Sequence, residues 1–217
     1  ISAVLQDVLT FIIPAVVTAL FVTRKPAALL CLQTKPTFAA VLAVVAILLV
    51  SIPAQEMVIY WNYHISLPES MASFEAKARQ LEANAFQTLR LLLVNTSPGA
   101  LVVNLLIIGL FAGLSEELLF RGCFQRLLTT GGINVHVAVW TVALCFSALH
   151  FQLFGFVPRV LLGAYFGYLL VWTRSIWVPV LAHVLNNMMF VLTAWRQART
   201  EGLDALDNEP SLWSLPL

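Results

Sequence analysis

Six stretches of this chain contain no Asp, Glu, Lys or Arg: Val8–Thr23, Phe38–Ile52, Leu91–Ser115, Leu127–Pro158, Val160–Thr173 and Ser175–Trp195. A helix needs roughly 20 apolar residues to cross a bilayer, with a range of about 17–25. Hydrophobic residues make up 60% of the 217 and charged residues 11%, with a mean hydropathy of +0.87. Soluble domains are nearer 45–50% apolar and about 25% charged. A chain this poor in charge cannot cover its own surface with polar groups, so it uses lipid as its solvent.

These runs predict an all-α, polytopic membrane helix bundle of about six spanning helices, near 5–23, 37–53, 99–128, 135–152, 157–173 and 177–196. Thr129-Thr130-Gly131-Gly132 is a turn signal that divides the longest run. Pro158 and Pro179 mark helix starts or kinks, tolerable where neighbouring helices satisfy the freed carbonyls. Between the second and third spans, Leu67–Arg90 mixes charges with Met71, Phe74, Ala78, Leu81, Ala85, Phe86 and Leu89 at helical spacing, the pattern of an amphipathic interfacial helix. It reads as a connector or, less simply, a lid. Three regions follow: 1–97 with two membrane helices and the amphipathic helix, 98–196 as a membrane core, and 197–217 as a polar tail with Pro210 and Pro216. The chain begins at Ile1, which leaves the question of a removed leader open.

A formal net charge of +1 gives no electrostatic case for nucleic acid. Cys31, Cys123 and Cys145 are odd in number and set in or beside apolar runs, arguing against a disulfide framework or a cysteine zinc site. Positive charge does not orient the chain: Arg24, Lys25, Lys35, Arg121, Arg126 and Arg174 fall to one side, and Lys77, Arg79, Arg90, Arg159, Arg196 and Arg199 to the other. No internal repeat points to an inverted-repeat transporter.

Ionisable side chains inside membrane helices are costly, and each is a functional hypothesis. The third helix ends with Ser115-Glu116-Glu117-Leu118-Leu119-Phe120-Arg121. Glu117 and Arg121 are i,i+4 and can pair, while Glu116 points about 100° away and has no partner on its own helix. The bland alternative is a helix end reaching the headgroups. Phe146 and His150 end the fourth helix, and the sixth carries His183 and Asn187 on one face. In a hairpin turning near Ile133, Glu116 and His150 each lie 17 residues from the turn and come out level. His183, eight residues past a turn near Ser175, falls about 10 Å nearer that surface if every helix is regular and upright.

Glu-Glu-x-x-x-Arg (Glu116, Glu117, Arg121), Phe-x-x-x-His (Phe146, His150) and His-x-x-x-Asn (His183, Asn187), in that order on separate helices, resemble the CAAX protease and bacteriocin-processing enzyme family, which includes the type II CAAX prenyl endopeptidases, also called Ras-converting enzymes. The resemblance covers about 98–196. It implies an intramembrane endopeptidase hydrolysing membrane-associated, CAAX-type or other, peptides by glutamate-activated water. By this resemblance Glu116 is the general base, His150 helps hold the water, and His183 with Asn187 stabilises the oxyanion. Glu117, Arg121 and Phe146 support them.

No cofactor is firmly implied. Glu116, His150 and His183 could nevertheless supply a two-histidine, one-carboxylate zinc set, with Glu117 as base. The expected partners are membrane lipid and a lipid-modified or membrane-embedded peptide or protein, with oligomeric state undetermined. The expected location is a prokaryotic cell membrane, with a multi-pass chain. An ion- or proton-coupled transporter and a non-enzymatic immunity or scaffold protein are the rival readings. A transporter would string polar groups through several helices, whereas these gather at one site.

Overall fold

The computed structural model describes residues 2–202, so most of the expected polar tail, 203–217, lies outside the described residues. Eight helices carry the architecture: α1 (Val4–Val22), α2 (Pro26–Leu29), α3 (Phe38–Tyr63), α4 (Ala72–Leu93), α5 (Pro98–Thr130), α6 (Val135–Ala148), α7 (Phe156–Thr173) and α8 (Trp177–Thr200). No strand occurs among the described residues.

Five of these helices are long and apolar enough to cross a membrane, α7 counting with the preceding 3-10 turn Leu153–Gly155. Helix α6 has 14 residues and spans about 21 Å at 1.5 Å per residue, short of a hydrocarbon core of about 30 Å. Its chain turns at His150 and Phe151, the latter at φ 54°, before reaching the full expected length. Of the most apolar windows, only 11% of residues are buried in α1 and in α3, against 61% in α7 and 56% in α8. The first two therefore turn their aliphatic surface to lipid, and α7 and α8 form the centre.

Local sequence sets the helix ends. The Ser97 and Thr37 side chains accept from the backbone N–H groups of Ala100 and Ala40, capping α5 and α3, and Pro98 occupies the first helical position. Asn134 caps α6 by accepting from His136 N–H, just after Gly132 turns at φ 91°. Helix α3 runs ten residues past the expected end and contains Pro53. The hydroxyl of Ser51 bonds the Leu48 carbonyl and accepts from Gln55, giving that turn side-chain hydrogen bonds where proline removes a backbone donor. Helix α5 widens to π turns over Leu105–Ala112 and Leu118–Gln125, on either side of the two glutamates.

Two glycine pairs let the central helices touch. A Cβ on Gly109 or Gly113 of α5 would meet Met188 at 2.7 Å or Val184 at 3.1 Å on α8. On α7, a Cβ on Gly163 would meet Ala143 at 3.3 Å, and one on Gly167 would meet Val139 at 3.0 Å. Phe120, Phe146 and Phe166 fill the core between these helices, with Ala15 and Ala19 of α1 packed into the same cluster. The amphipathic α4 is tied to the bundle: Phe154 N–H donates to Glu82 at 2.7 Å, Arg79 lies 3.9 Å over the Phe154 ring, and Leu93 packs with Phe190 and Ala194.

The turn after α7 is buried rather than exposed. Residues 30–34 cover it: Ile176 N–H donates to the Cys31 carbonyl, Ser175 Oγ to Thr34 at 2.6 Å, and Trp177 Nε1 to Leu32 at 3.0 Å. Ser175 and Ile176 are accordingly buried, and α8 starts inside the bundle.

Candidate functional site

Three helices meet at a buried charged centre. On α5, Arg121 Nη1 donates to Glu117 Oε1 at 2.6 Å, the i,i+4 pairing expected of that spacing. Its Nη2 donates to the Gly163 carbonyl of α7 at 2.9 Å, and its guanidinium lies over the rings of Phe146 and Phe166, at 4.8 and 5.5 Å. Both members of the pair are fully buried. A buried ion pair contributes only with its remaining hydrogen bonds satisfied; here the carbonyl and the two ring faces do part of that.

The same Glu117 oxygen accepts from His183 Nδ1 at 2.9 Å, joining α8 to α5. That bond fixes the imidazole, with Phe166 stacked on it at 5.1 Å and Phe146 edge-on at 6.0 Å. Nε2 of His183 then faces Glu116 Oε2 across 3.9 Å. Both of these atoms are buried and without a hydrogen-bond partner. The distance is too long for a hydrogen bond, yet one oxygen about 2.8 Å from each atom fits between them at an apex of roughly 90°.

Asn187, one turn beyond His183, donates from Nδ2 to the Ile108 carbonyl at 3.2 Å and leaves Oδ1 unpartnered. Carbonyl 108 lies in the π-widened stretch of α5. His150 stands on the other side of Phe146: its Nδ1 donates to the Phe146 carbonyl at 2.8 Å, and the two rings are 5.0 Å apart. The structure thus brings Glu116, Glu117, Arg121 and His183 into one cluster, and Phe146 packs against the rings of both His183 and His150.

Upright-helix arithmetic places His183 about 10 Å too close to one surface. In the structure Ser175 and Ile176 are buried beneath residues 30–34 at the start of α8, and His183 meets Glu116 at the same level. The zinc set fares differently. Glu116 and His183 face each other, but no group of three or more His, Cys, Asp or Glu side chains converges as a metal site among the described residues, and His150 is held against Phe146. Glu116, His150 and His183 do not fit a zinc ion in this arrangement.

Four contributors escape a motif reading. Gly163 and Phe166 belong to Gly163-x-x-x-Gly167, a small-residue pair whose spacing signals close helix contact, as does Gly109-x-x-x-Gly113. Arg159 is buried at the start of α7, bonded by Nη2 to Gln152, and its charge acts on both Glu116 and His150. Asp7 of α1 lies within electrostatic range of Glu116. As the one acid in the first span, it was the available signal.

Fold and centre together define an integral membrane protein, all-helical, with a cluster of ionisable side chains buried on α5 and α8. Comparison with known proteins assigns a likeness to that same segment. Residues 98–189 match the family model described as type II CAAX prenyl endopeptidase, Rce1-like, which at family level denotes intramembrane endopeptidases of the CAAX type. The chain is also similar to the uncharacterized protein YpbD of Bacillus subtilis (strain 168), 28% identical over 93 residues, or 41% of this chain and 44% of that protein. The chain therefore spans less than half the length of this relative. No solved structure matches it.

Proposed function

We propose that the protein is an intramembrane endopeptidase in which Glu116 activates water. One observation carries the reading: a carboxylate oxygen and an imidazole nitrogen, both buried and unpartnered, face each other at 3.9 Å, and the imidazole is fixed from behind by Glu117. A water hydrogen-bonded to both is oriented and polarised before substrate carbonyl arrives.

The charges suggest how the step runs. The step requires Glu116 and Glu117 ionised with Arg121 and a doubly protonated His183, a quartet whose charges balance. Water attacks the scissile carbonyl, its proton passes to Glu116, and the new C–O bond places negative charge on the carbonyl oxygen. His183 then donates Nε2–H to that oxyanion while Nδ1–H stays on Glu117, so its counter-charge moves from Glu116 to the intermediate. Glu116 next delivers the proton to the departing amine as the C–N bond breaks. Asn187 retains one amide N–H beyond its bond to Ile108 and serves as a second oxyanion donor. One such donor contributes about 3–4 kcal/mol in a dry site. His150 helps hold the water through Nε2, its Nδ1 being bonded to the Phe146 carbonyl.

Glu117 and Arg121 act through His183 and are positioning residues. The substrate is a lipid-modified or membrane-embedded peptide or protein, of which a prenylated C-terminal peptide is one form. The setting is a prokaryotic cell membrane, supported by the bacterial relative. Cleavage of a fluorogenic, lipid-modified peptide by the purified protein tests this, comparing Glu116→Ala and His183→Ala with wild type, with and without chelator. Loss in both variants with activity kept under chelator is expected. Loss on chelation, reversed by zinc, refutes the metal-free step. Silence of the wild type across a broad peptide library refutes the protease.

A further inference from the structure

At the end of the bundle where α5 and α7 finish, a cavity of about 510 Å³ opens between the α5–α6 and α7–α8 turns. Its polar lining is Gln125, Arg126, Thr129 and Arg174, and Leu170 and Val171 contribute an apolar wall. Arg126 spends Nε on the Leu29 carbonyl at 3.3 Å, and Arg174 is exposed with no side-chain hydrogen bond among the described residues. Gln125 is buried, gives Nε2 to the Gly167 carbonyl at 3.0 Å and keeps Oε1 unpartnered.

The surroundings are built. Cys31 and Arg174, both lining the cavity, hold φ 53° and 55°, a left-handed conformation disfavoured for residues with a Cβ. The two turns are stitched by the Ile176–Cys31 backbone bond and by the Ser175 and Trp177 side chains. Arg174 occupies the position after α7 where glycine is the usual residue. The location is the membrane interface: Thr130 and Thr173 end two spans there, and Trp172 and Trp177 are exposed beside them. Segments 23–37, 126–134 and 174–176 at this end hold Arg24, Lys25, Lys35, Arg126 and Arg174, with no Asp or Glu.

We propose that this cavity binds the phosphodiester headgroup of an anionic glycerophospholipid. Phosphate oxygens accept from the Arg126 and Arg174 guanidinium groups, which suit phosphate geometry better than an ammonium does. The acyl chains leave past Val171. The five cations at this end draw anionic lipid to the site. The site lies apart from the Glu116 centre and stands whether or not the protein is a protease.

The test is titration of the purified full chain in detergent with short-chain phosphatidylglycerol, phosphatidylcholine and inorganic phosphate, read by tryptophan fluorescence and native mass spectrometry. Phosphatidylglycerol should bind at least about tenfold more tightly than phosphatidylcholine, because both carry the phosphodiester but choline adds a cation facing Arg126 and Arg174. Arg174→Gly should weaken it by a similar factor while the melting temperature holds or rises, because glycine suits that backbone. Arg126→Lys, which retains charge and loses the fork, should weaken it as well and guards against a folding defect in either variant. Equal binding of the two lipids, or unchanged phosphatidylglycerol binding in both variants, overturns the proposal. Inorganic phosphate binding as tightly as phosphatidylglycerol overturns the lipid as its source.

Discussion

Replacing Glu117 by glutamine preserves shape and removes one charge from the quartet, so it separates what Glu117 does for folding from what it does for His183. Arg121 is fully buried and its Nη1 bond to Glu117 is 2.6 Å. Stripping one partner from a buried pair costs about 3–5 kcal/mol. Arg121 keeps the Gly163 carbonyl and the faces of Phe146 and Phe166, so the expected loss lies at the low end, about 3 kcal/mol. The catalytic effect is larger. Glutamine can turn its amide nitrogen toward His183, which then cannot keep its Nδ1–H there, and an analogous carboxylate-to-amide change behind a protease histidine costs about 10⁴ in kcat. We expect a fall of about 10²–10⁴ in kcat with KM nearly unchanged. Unfolding in mixed micelles and cleavage of a lipid-modified peptide give the two readouts. The double variant Glu117→Leu with Arg121→Met should recover only part of that loss, since it removes the unpaired guanidinium but leaves His183 Nδ1 and the Gly163 carbonyl without partners, and should not regain rate. Cleavage by Glu117→Gln within about fivefold of wild type refutes the role given to Glu117.

Gly163→Ala would place a Cβ 3.2 Å from Arg121 Nη2 and 3.3 Å from Ala143; thermal unfolding should show a loss of about 1–3 kcal/mol. His150→Ala should lower kcat by about 10², while His136→Ala, whose ring bonds Tyr168 at 2.8 Å on α7, should leave it unchanged in the same peptide assay. Burial holds the Glu82 carboxyl above its ordinary 4.5, against the opposing hydrogen bond from Phe154. Folding therefore favours its protonated form, so this contribution is full below 4.5 and is lost as pH rises through the higher folded value. Denaturant midpoints measured from pH 4 to 8 should show that decline in wild type and lose it in Glu82→Gln.

The features that the sequence announces are those encoded by neighbours along the chain. Ser97-Pro98 starts α5, Gly131-Gly132 ends it, and Glu117 reaches Arg121 because they are four apart. Features encoded across the chain are harder to read. Helix α3 continues through Pro53 because a serine and a glutamine beside it carry hydrogen bonds, which a proline rule ignores. Helix α6 stops at Ala148, since Phe151 adopts a left-handed turn that apolar periodicity does not foretell. The burial of the turn before His183 depends on residues 30–34 covering it, some 150 positions earlier in the chain. Five helices rather than six meet the length needed to cross, and the difference lies in α6 alone.

The bond between Glu117 and His183 joins residues 66 positions apart, on the third and the last of the five long spans. A ribosome therefore releases the acidic half of the centre well before the basic half exists. Glu117 can enter the bilayer already neutralised by Arg121, four residues behind it, so the insertion machinery meets one uncompensated carboxylate, Glu116, rather than two. A nascent chain halted before residue 183 holds a proton acceptor with nothing to orient it. Assembly order thus acts as a safety catch for the proposed reaction: its residues come together only with the final span, once the bundle has closed around the centre.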